Sequence, residues 1–458
     1  MKTKGNIQDI YPLTPMQEGM LLHSVMEEHS TAYFEQAAFR LQGDFEPSLI
    51  ERSLDVLFER HDILRTAFVH QGHQKPLQVV LTKRKCVFRY EDLSTMENEH
   101  AWQAYLDKFK IDDVNQSFDL TKDVLMRVAV FYLGEREFEF VWSHHHILMD
   151  GWCTGIILSE FLEIYNSLKE NRRANLGRVI PFRYYVEWLE KQDRKRSQQY
   201  WKDYLSHYEE LSEAPGRIQR YGQASGYKKG MLPYHLDPAY IKLLHQFVRD
   251  HRITMNIFVQ TIWGLTLAKF SGRNDVIFGS VVSGRPGEIP GIESMLGLFI
   301  NTVPRRIHFN DSMTVGELLR NVQDEHIEGE AHHYFPLADI QALSPLKQNL
   351  FDHILSFDSY PTRDKNENRD TRIMSIESFA HTSFDLSVKV FPDVKFMVRL
   401  DFNELAIDRR VMTLVGEQMM ATIHQVLTGG EIEIGNLEII GRNQQKKVLI
   451  DDFNQPLE

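Results

Sequence analysis

The alternation of apolar and polar residues gives the first picture of this chain. Thr14-Pro15-Met16-Gln17 opens an early helix. Thr14 caps, Pro15 fits the first helical position, and Gln17 reaches back as in a capping box. The spacing of Met20, Leu21 and Leu22 carries that helix to about Met26. Residues 33–42 alternate with the period of a half-buried strand. Residues 47–61 read as an amphipathic helix that buries Leu49, Leu54, Leu57 and Phe58, and Arg65-Thr66-Ala67-Phe68 leads into another strand. Residues 124–133 and 137–143 form a hairpin through the turn Leu133-Gly134-Glu135-Arg136. Its second strand ends at three histidines. After Gly151, the positions Ile157, Phe161, Tyr165 and Leu168 recur at helical spacing.

The charged stretch 169–179 reads as a linker. Beyond it the pattern predicts helices around 181–192 and 194–206, a polar loop near 212–229, and helices over 236–250 and 254–270. Val276 to Val282 is a buried strand ending in Ser283-Gly284-Arg285-Pro286, and a second loop holds Gly297-Leu298-Phe299-Ile300-Asn301-Thr302. One or two strands follow in 386–402, then a long helix over 409–427. The expected fold class is mixed α/β in two lobes, an N-terminal lobe 1–175 and a C-terminal lobe 176–458.

Composition narrows the classes. The chain has 458 residues, 42% hydrophobic and 25% charged, with a formal charge of -12. An acidic balance argues against nucleic acid as a partner. The clusters Lys83-Arg84-Lys85 and Arg194-Lys195-Arg196 read as solvated surface. Two cysteines, Cys86 and Cys153, make no disulfide framework and fit a cytoplasmic location. No apolar run has the length of a membrane span, and the first residues lack the apolar segment of a signal peptide.

The candidate chemistry lies in Ser143-His144-His145-His146-Ile147-Leu148-Met149-Asp150-Gly151-Trp152, on a loop between a strand end and a helix start. Imidazole and carboxylate are costly to bury unless each finds a partner. Strand alternation sends His144 and His146 to one side and His145 to the other. Arg285, held between Gly284 and Pro286, is the expected partner of a buried Asp150. A proton-moving site fits this cluster. A metal site fits less well, because adjacent histidines diverge and make a poor chelate. A Cys153–His nucleophilic pair, with the thiol acidified at the helix start, is a third and weaker reading, because a lone cysteine most often packs as a small buried hydrophobe.

His145-His146-Ile147-Leu148-Met149-Asp150-Gly151 has the His-His-x-x-x-Asp-Gly pattern of the CoA-dependent acyltransferase superfamily. Tyr11-Pro12-Leu13-Thr14-Pro15-Met16-Gln17-Glu18-Gly19-Met20, Arg60-His61-Asp62-Ile63-Leu64-Arg65-Thr66-Ala67-Phe68, Tyr184-Tyr185-Val186-Glu187-Trp188, Tyr200-Trp201 and Gly297-Leu298-Phe299-Ile300-Asn301-Thr302 resemble the ordered motifs of nonribosomal peptide synthetase condensation domains. His332-His333-Tyr334-Phe335-Pro336-Leu337 departs from the usual His-Gln-Asp-Tyr-Pro-Phe-Glu. Asp452-Phe453-Asn454 resembles the lead-in to an adenylation domain.

The resemblance implies two chloramphenicol acetyltransferase-like lobes in a V, with the histidine loop midway along a tunnel. It implies amide formation between a donor aminoacyl or peptidyl thioester and an acceptor aminoacyl amine. Both would arrive on phosphopantetheine arms of donor and acceptor carrier proteins, beside an adenylation domain, with no intrinsic cofactor and no metal. His146 would be the catalytic residue, as base or orienting group. His145 would face inward in a structural role, Asp150 with Arg285 would shape the loop, and Gly151 would give space and an N–H toward the oxyanion. Arg65, Asn301 and Trp201 would support. The rival expectations are an epimerization domain of the same fold, a noncatalytic gatekeeping or docking module, and a stand-alone acyltransferase using a soluble CoA thioester.

Overall fold

The computed structural model describes residues 6–26, 31–70, 72, 75–218, 226–358, 372–380, 382–392 and 395–438. The tail motif Asp452-Phe453-Asn454 lies outside them. In chain order the strands are β1 Ile7–Pro12, β2 Phe34–Gln42, β3 Thr66–Val69, β4 Leu77–Leu81, β5 Val87–Asp92, β6 Met126–Gly134, β7 Glu137–His145, β8 Lys229–His235, β9 Asp275–Val282, β10 Asn301–His308, β11 Ile354–Phe357, β12 Arg372–Ala380, β13 Leu386–Phe391 and β14 Met397–Asn403.

The chain divides into two compact units. The first comprises 1–192, 283–300 and 360–383; the second comprises 193–282, 301–359 and 384–458. The expected boundary after 175 therefore falls short of the first unit's long segment, which runs through Gln192. A cut at one point also misses two later returns. The physical reason is pairing: β12 lies antiparallel beside β2, with Glu377 opposite Ala38. The loop 283–300 donates Ile289, Ile292, Met295, Leu296, Leu298 and Phe299 to the same core as Phe140, Phe161 and Tyr185.

In the first unit a five-stranded sheet runs β12-β2-β7-β6-β5, and β1-β4-β3 form a second, smaller sheet. The hairpin β6–β7 closes through Gly134, Glu135 and Arg136, all at positive φ, as the turn signal required. β7 is buried along nearly its whole length because both faces are covered. Phe138, Phe140 and Trp142 pack into the main core with Phe161 and Tyr165 of the helix Gly151–Lys169. On the other face Val141 packs with Leu106, Trp102 and Phe109 of the helix Glu99–Asn115. The early helix spans Pro15–Met26. Its capping box is present: Gln17 N–H donates to Thr14 Oγ1 at 3.3 Å, and Thr14 N–H donates to Gln17 Oε1 at 3.0 Å. The helix Pro47–Arg60 buries Ile50 with Leu54, Leu57 and Phe58, whereas Leu49 is only half-buried.

The second unit is built on one six-stranded mixed sheet, β10-β9-β11-β13-β14-β8. The helix Met255–Ser271 is buried from Ile257 to Ala268 against Phe278, Val388 and Leu400 of that sheet. Among the described residues no helix is long and apolar enough to cross a membrane.

Candidate active site

The histidine run straddles the end of a strand, and this separates its members. β7 carries His144 and His145 in register with Glu35 and Phe34 of β2. His146 has left the pleat. Its N–H donates to Tyr33 O at 2.8 Å, and its own carbonyl accepts Met149 N–H at 3.1 Å. The expected alternation therefore fails at the residue that matters, because a turn and not a strand sets the direction of His146.

Burial divides the three further. His144 and His145 are buried. Desolvation, followed by the neighbouring imidazoles, pushes both down to about 3, so each is neutral at ordinary pH. His145 Nδ1 accepts Ile147 N–H at 3.1 Å, and its Nε2 lies 3.4 Å from Ser24 Oγ. That is an inward, loop-holding contact. His146 keeps 15% of its side chain exposed, and its Nε2 lies 3.5 Å from Glu35 Oε1. Among the described residues its Nδ1 has no hydrogen-bond partner.

Asp150 and Arg285 meet. Arg285 Nη2 lies 3.2 Å from Asp150 Oδ1, and both side chains are buried. Phe299 N–H donates to Asp150 Oδ2 at 3.0 Å, and Asp150 N–H donates to Gly297 O at 3.2 Å. Arg285 Nη1 donates to Ile292 O at 2.6 Å and to Met295 O at 3.0 Å, while its guanidinium lies 4.0 Å over the Phe299 ring. Gly284 makes this approach feasible. Its φ is 58°, and a Cβ there would lie 1.8 Å from Phe299 O. Asp150 thus ties the start of the helix Gly151–Lys169 to the loop 283–300. Trp152 Nε1 adds a bond to Glu293 O at 2.9 Å. Gly151 is the first residue of that helix.

Cys153 is the small buried residue that a lone cysteine usually makes, not an acidified thiol. It is fully buried and donates to Gly297 O at 3.3 Å. Burial and the Asp150 carboxylate push its pKa up, which outweighs the helix start.

The three supporting residues make fully structural contacts. Arg65 is buried at the end of the turn Asp62–Arg65, just before β3. It donates to Phe58 O at 2.7 Å and Gln8 Oε1 at 2.8 Å, bonds Leu81 O, and pairs with Asp62 at 2.6 Å. None of these bonds reaches the histidine loop. In the second unit, Trp201 Nε1 donates to His332 O at 3.2 Å. Asn301 Nδ2 donates to His333 O and Phe335 O, each at 2.8 Å. Both side chains therefore hold the 332–335 turn. Among the described residues no group of three or more His, Cys, Asp or Glu converges as metal ligands would.

Sequence reasoning missed Glu35 and Tyr33. Both sit where the strand 33–42 was expected, but the pairing of β2 with β7 sets Glu35 opposite His144, and Tyr33, just before β2, meets His146 through its carbonyl.

The family model described as condensation domain matches residues 7–449. Gramicidin S synthase 2 of Brevibacillus brevis is 35% identical over 454 residues, covering 98% of this chain and 10% of that protein. Surfactin synthase subunit 3 of Bacillus subtilis (strain 168) is 34% identical over 458 residues, covering 99% of this chain and 36% of that protein. This chain thus spans well under half of either relative. Among solved structures, the first condensation domain of the calcium-dependent antibiotic synthetase, with a substrate analogue, has a TM-score of 0.77 at 17% identity, covering 95% of this chain and all of that one. A four-domain nonribosomal peptide synthetase bound to AMP and glycine gives 0.74 at 17% identity, covering 97% of this chain and 35% of that one. These structural likenesses speak for the mixed α/β fold.

Proposed function

We propose that this chain, which belongs to the condensation-domain family, joins a donor aminoacyl or peptidyl thioester to the α-amine of an acceptor aminoacyl thioester. Both substrates arrive on phosphopantetheine arms of carrier proteins, within a synthetase that also contains an adenylation domain. The two free cysteines fit a reducing, cytoplasmic setting. The observation that carries the reading is the split among the histidines. Two are buried and neutral, and the third is part-exposed on a turn fixed by β2 and by the Asp150–Arg285 pair.

The reaction asks little of the protein beyond geometry. An α-amine has a pKa of about 8, so a useful fraction is neutral at pH 7. Holding amine and thioester together supplies an effective molarity on the order of 10⁵ M or more. The amine nitrogen attacks the thioester carbon and a C–N bond forms. His146 takes one proton from that nitrogen, the C–S bond breaks, and the imidazolium returns the proton to the leaving thiolate. A positioned base of this kind contributes roughly 10²- to 10⁴-fold. We assign the N–H of Gly151, at the head of the helix Gly151–Lys169, to the developing oxyanion.

His146→Ala tests the role in a single-turnover assay with loaded donor and acceptor carriers. The expected result is a loss of dipeptide of at least about 100-fold with the thermal midpoint unchanged within about 1 °C, since the side chain is neither in the core nor firmly bonded. Near wild-type turnover refutes the assignment. Incubating one loaded carrier alone and finding D-product would point to epimerization instead.

A further inference from the structure

We infer that the Glu35 carboxylate anchors the α-ammonium of the acceptor beside His146, making Glu35 a specificity residue for amine-bearing acceptors; this rests on the reaction proposed above. The segment is shaped for the task. Tyr33 holds φ 64°, a left-handed conformation that costs a non-glycine residue about 1 kcal/mol or more. From there its carbonyl accepts His146 N–H at 2.8 Å, and β2 starts at the next residue. Glu35 then falls opposite His144, with Oε1 3.5 Å from His146 Nε2 and 26% of its side chain exposed.

The charges around Glu35 sharpen the point. Among the described residues no lysine or arginine pairs with it. Its counterpart Glu139, on the adjacent strand of the same sheet, is matched by Arg40 at 3.0 Å and Lys110 at 2.8 Å. Among the described residues, His144 and His145 on β7 interact with His146 and are both neutral, and His23 of the early helix acts on His145. A part-exposed carboxylate lacking a lysine or arginine, set against a reactive imidazole, is complementary to a cationic group.

The acceptor brings such a group. With a pKa of about 8, its amine arrives mostly as ammonium. Two N–H bonds of that ammonium face Glu35 and His146. One proton leaves to bulk water, which frees the nitrogen lone pair to attack, and the His146 imidazole takes the second proton as the C–N bond forms and passes it to the departing thiolate. An α-hydroxyacyl acceptor carries no charge and gains nothing from the carboxylate.

The test uses the intact chain, wild type and Glu35→Gln, with a panel of aminoacyl-pantetheine amides and their 2-hydroxyacyl counterparts. Neither series reacts without a donor, so calorimetric titration reads binding alone. The expected result is an ammonium series weakened about ten- to a hundredfold in Glu35→Gln, matching the loss of a hydrogen bond between charged groups. The hydroxy series should be unchanged, and Glu35→Asp should partly restore the preference. Equal loss in both series would make Glu35 a prop for His146 and overturn the inference, as would unchanged binding of the amines or a wild type that never prefers amine over hydroxyl. Dipeptide formation is scored in the same wild-type preparation. Absent product refutes the reaction, whereas product with an indifferent Glu35→Gln refutes only the anchor.

Discussion

Asp150→Asn separates shape from chemistry in the histidine loop. The carboxylate accepts from Arg285 Nη2, Phe299 N–H and the Cys153 thiol, all buried. An asparagine has the same outline but one amide end. Whichever way it turns, its NH2 faces either Phe299 N–H or the guanidinium, donor against donor. Stranding one partner of a buried pair costs about 3–5 kcal/mol. Here Arg285 keeps the carbonyls of Ile292 and Met295 and the face of Phe299, which places the expected cost near the lower end, about 3 kcal/mol. For a unit of this size that corresponds to a fall of roughly 6–12 °C in the midpoint. Calorimetry suits a two-unit chain, because one spectroscopic midpoint would merge two transitions. Arg285→Met should cost a similar amount, and the double variant should cost less than the sum by about 2 kcal/mol. Condensation measured well below the lowered midpoint should survive within about tenfold. A loss beyond about 1000-fold with an unchanged midpoint would refute the structural assignment and make Asp150 part of the chemistry.

Two further outcomes follow from the buried groups. The folded pKa values of His144 and His145, about 3, lie below the unfolded value of about 6.5. The unfolded chain therefore binds the extra protons. Their contribution to stability is complete above about pH 6.5 and is lost as pH falls toward 3, at about 1.4 kcal/mol per pH unit for each histidine. Urea unfolding between pH 4 and 6 should show that slope reduced by one histidine's share in His144→Gln; an unchanged slope would contradict neutral burial. Cys153→Ala should keep condensation within a few-fold, because its thiol is raised and enclosed; loss of product in a folded Cys153→Ala protein would revive the nucleophile reading.

Local signals were legible in the sequence where one short segment contains both partners. The Thr14–Gln17 cap, the β6–β7 hairpin and the helix after Gly151 are of this kind. The meeting of Asp150 with Arg285 was also readable, since a buried carboxylate needs a cation and Gly284 frees the backbone beside one. What stayed hidden depends on distant pairing. The helix Glu99–Asn115 went unseen because its apolar residues do not keep to one face: Trp102, Leu106 and Phe109 pack against the sheet, whereas Ile111 is exposed and Asp113 is buried. The return of β12 to β2, and of 283–300 to the first core, has no local trace, so a single cut at 175 could not describe the units. The burial of Cys153 follows the ordinary behaviour of a lone cysteine, and its raised thiol removes the nucleophile reading that its place at a helix start allowed.

The strand's end explains why three adjacent histidines do not compete for one proton. At pH 7, placing a proton on an imidazole with a pKa of about 3 costs roughly 5 kcal/mol, about 1.4 for each pH unit. Four pH units are about ten-thousandfold in population, so His144 and His145 are closed to proton transfer from an amine. Had β7 continued one residue further, His146 would have shared the face of His144 and faced the same desolvation. The turn that Tyr33 and Met149 hold takes it out of the pleat and leaves its edge accessible beside Glu35. The buried pair supplies packing and loop geometry, and the third imidazole alone combines access with a neighbouring anion. On this reasoning the sequence order His-His-His matters less than the position at which the β-ladder stops, and a substitution that prolongs pairing past His145 should impair catalysis without touching any reacting group.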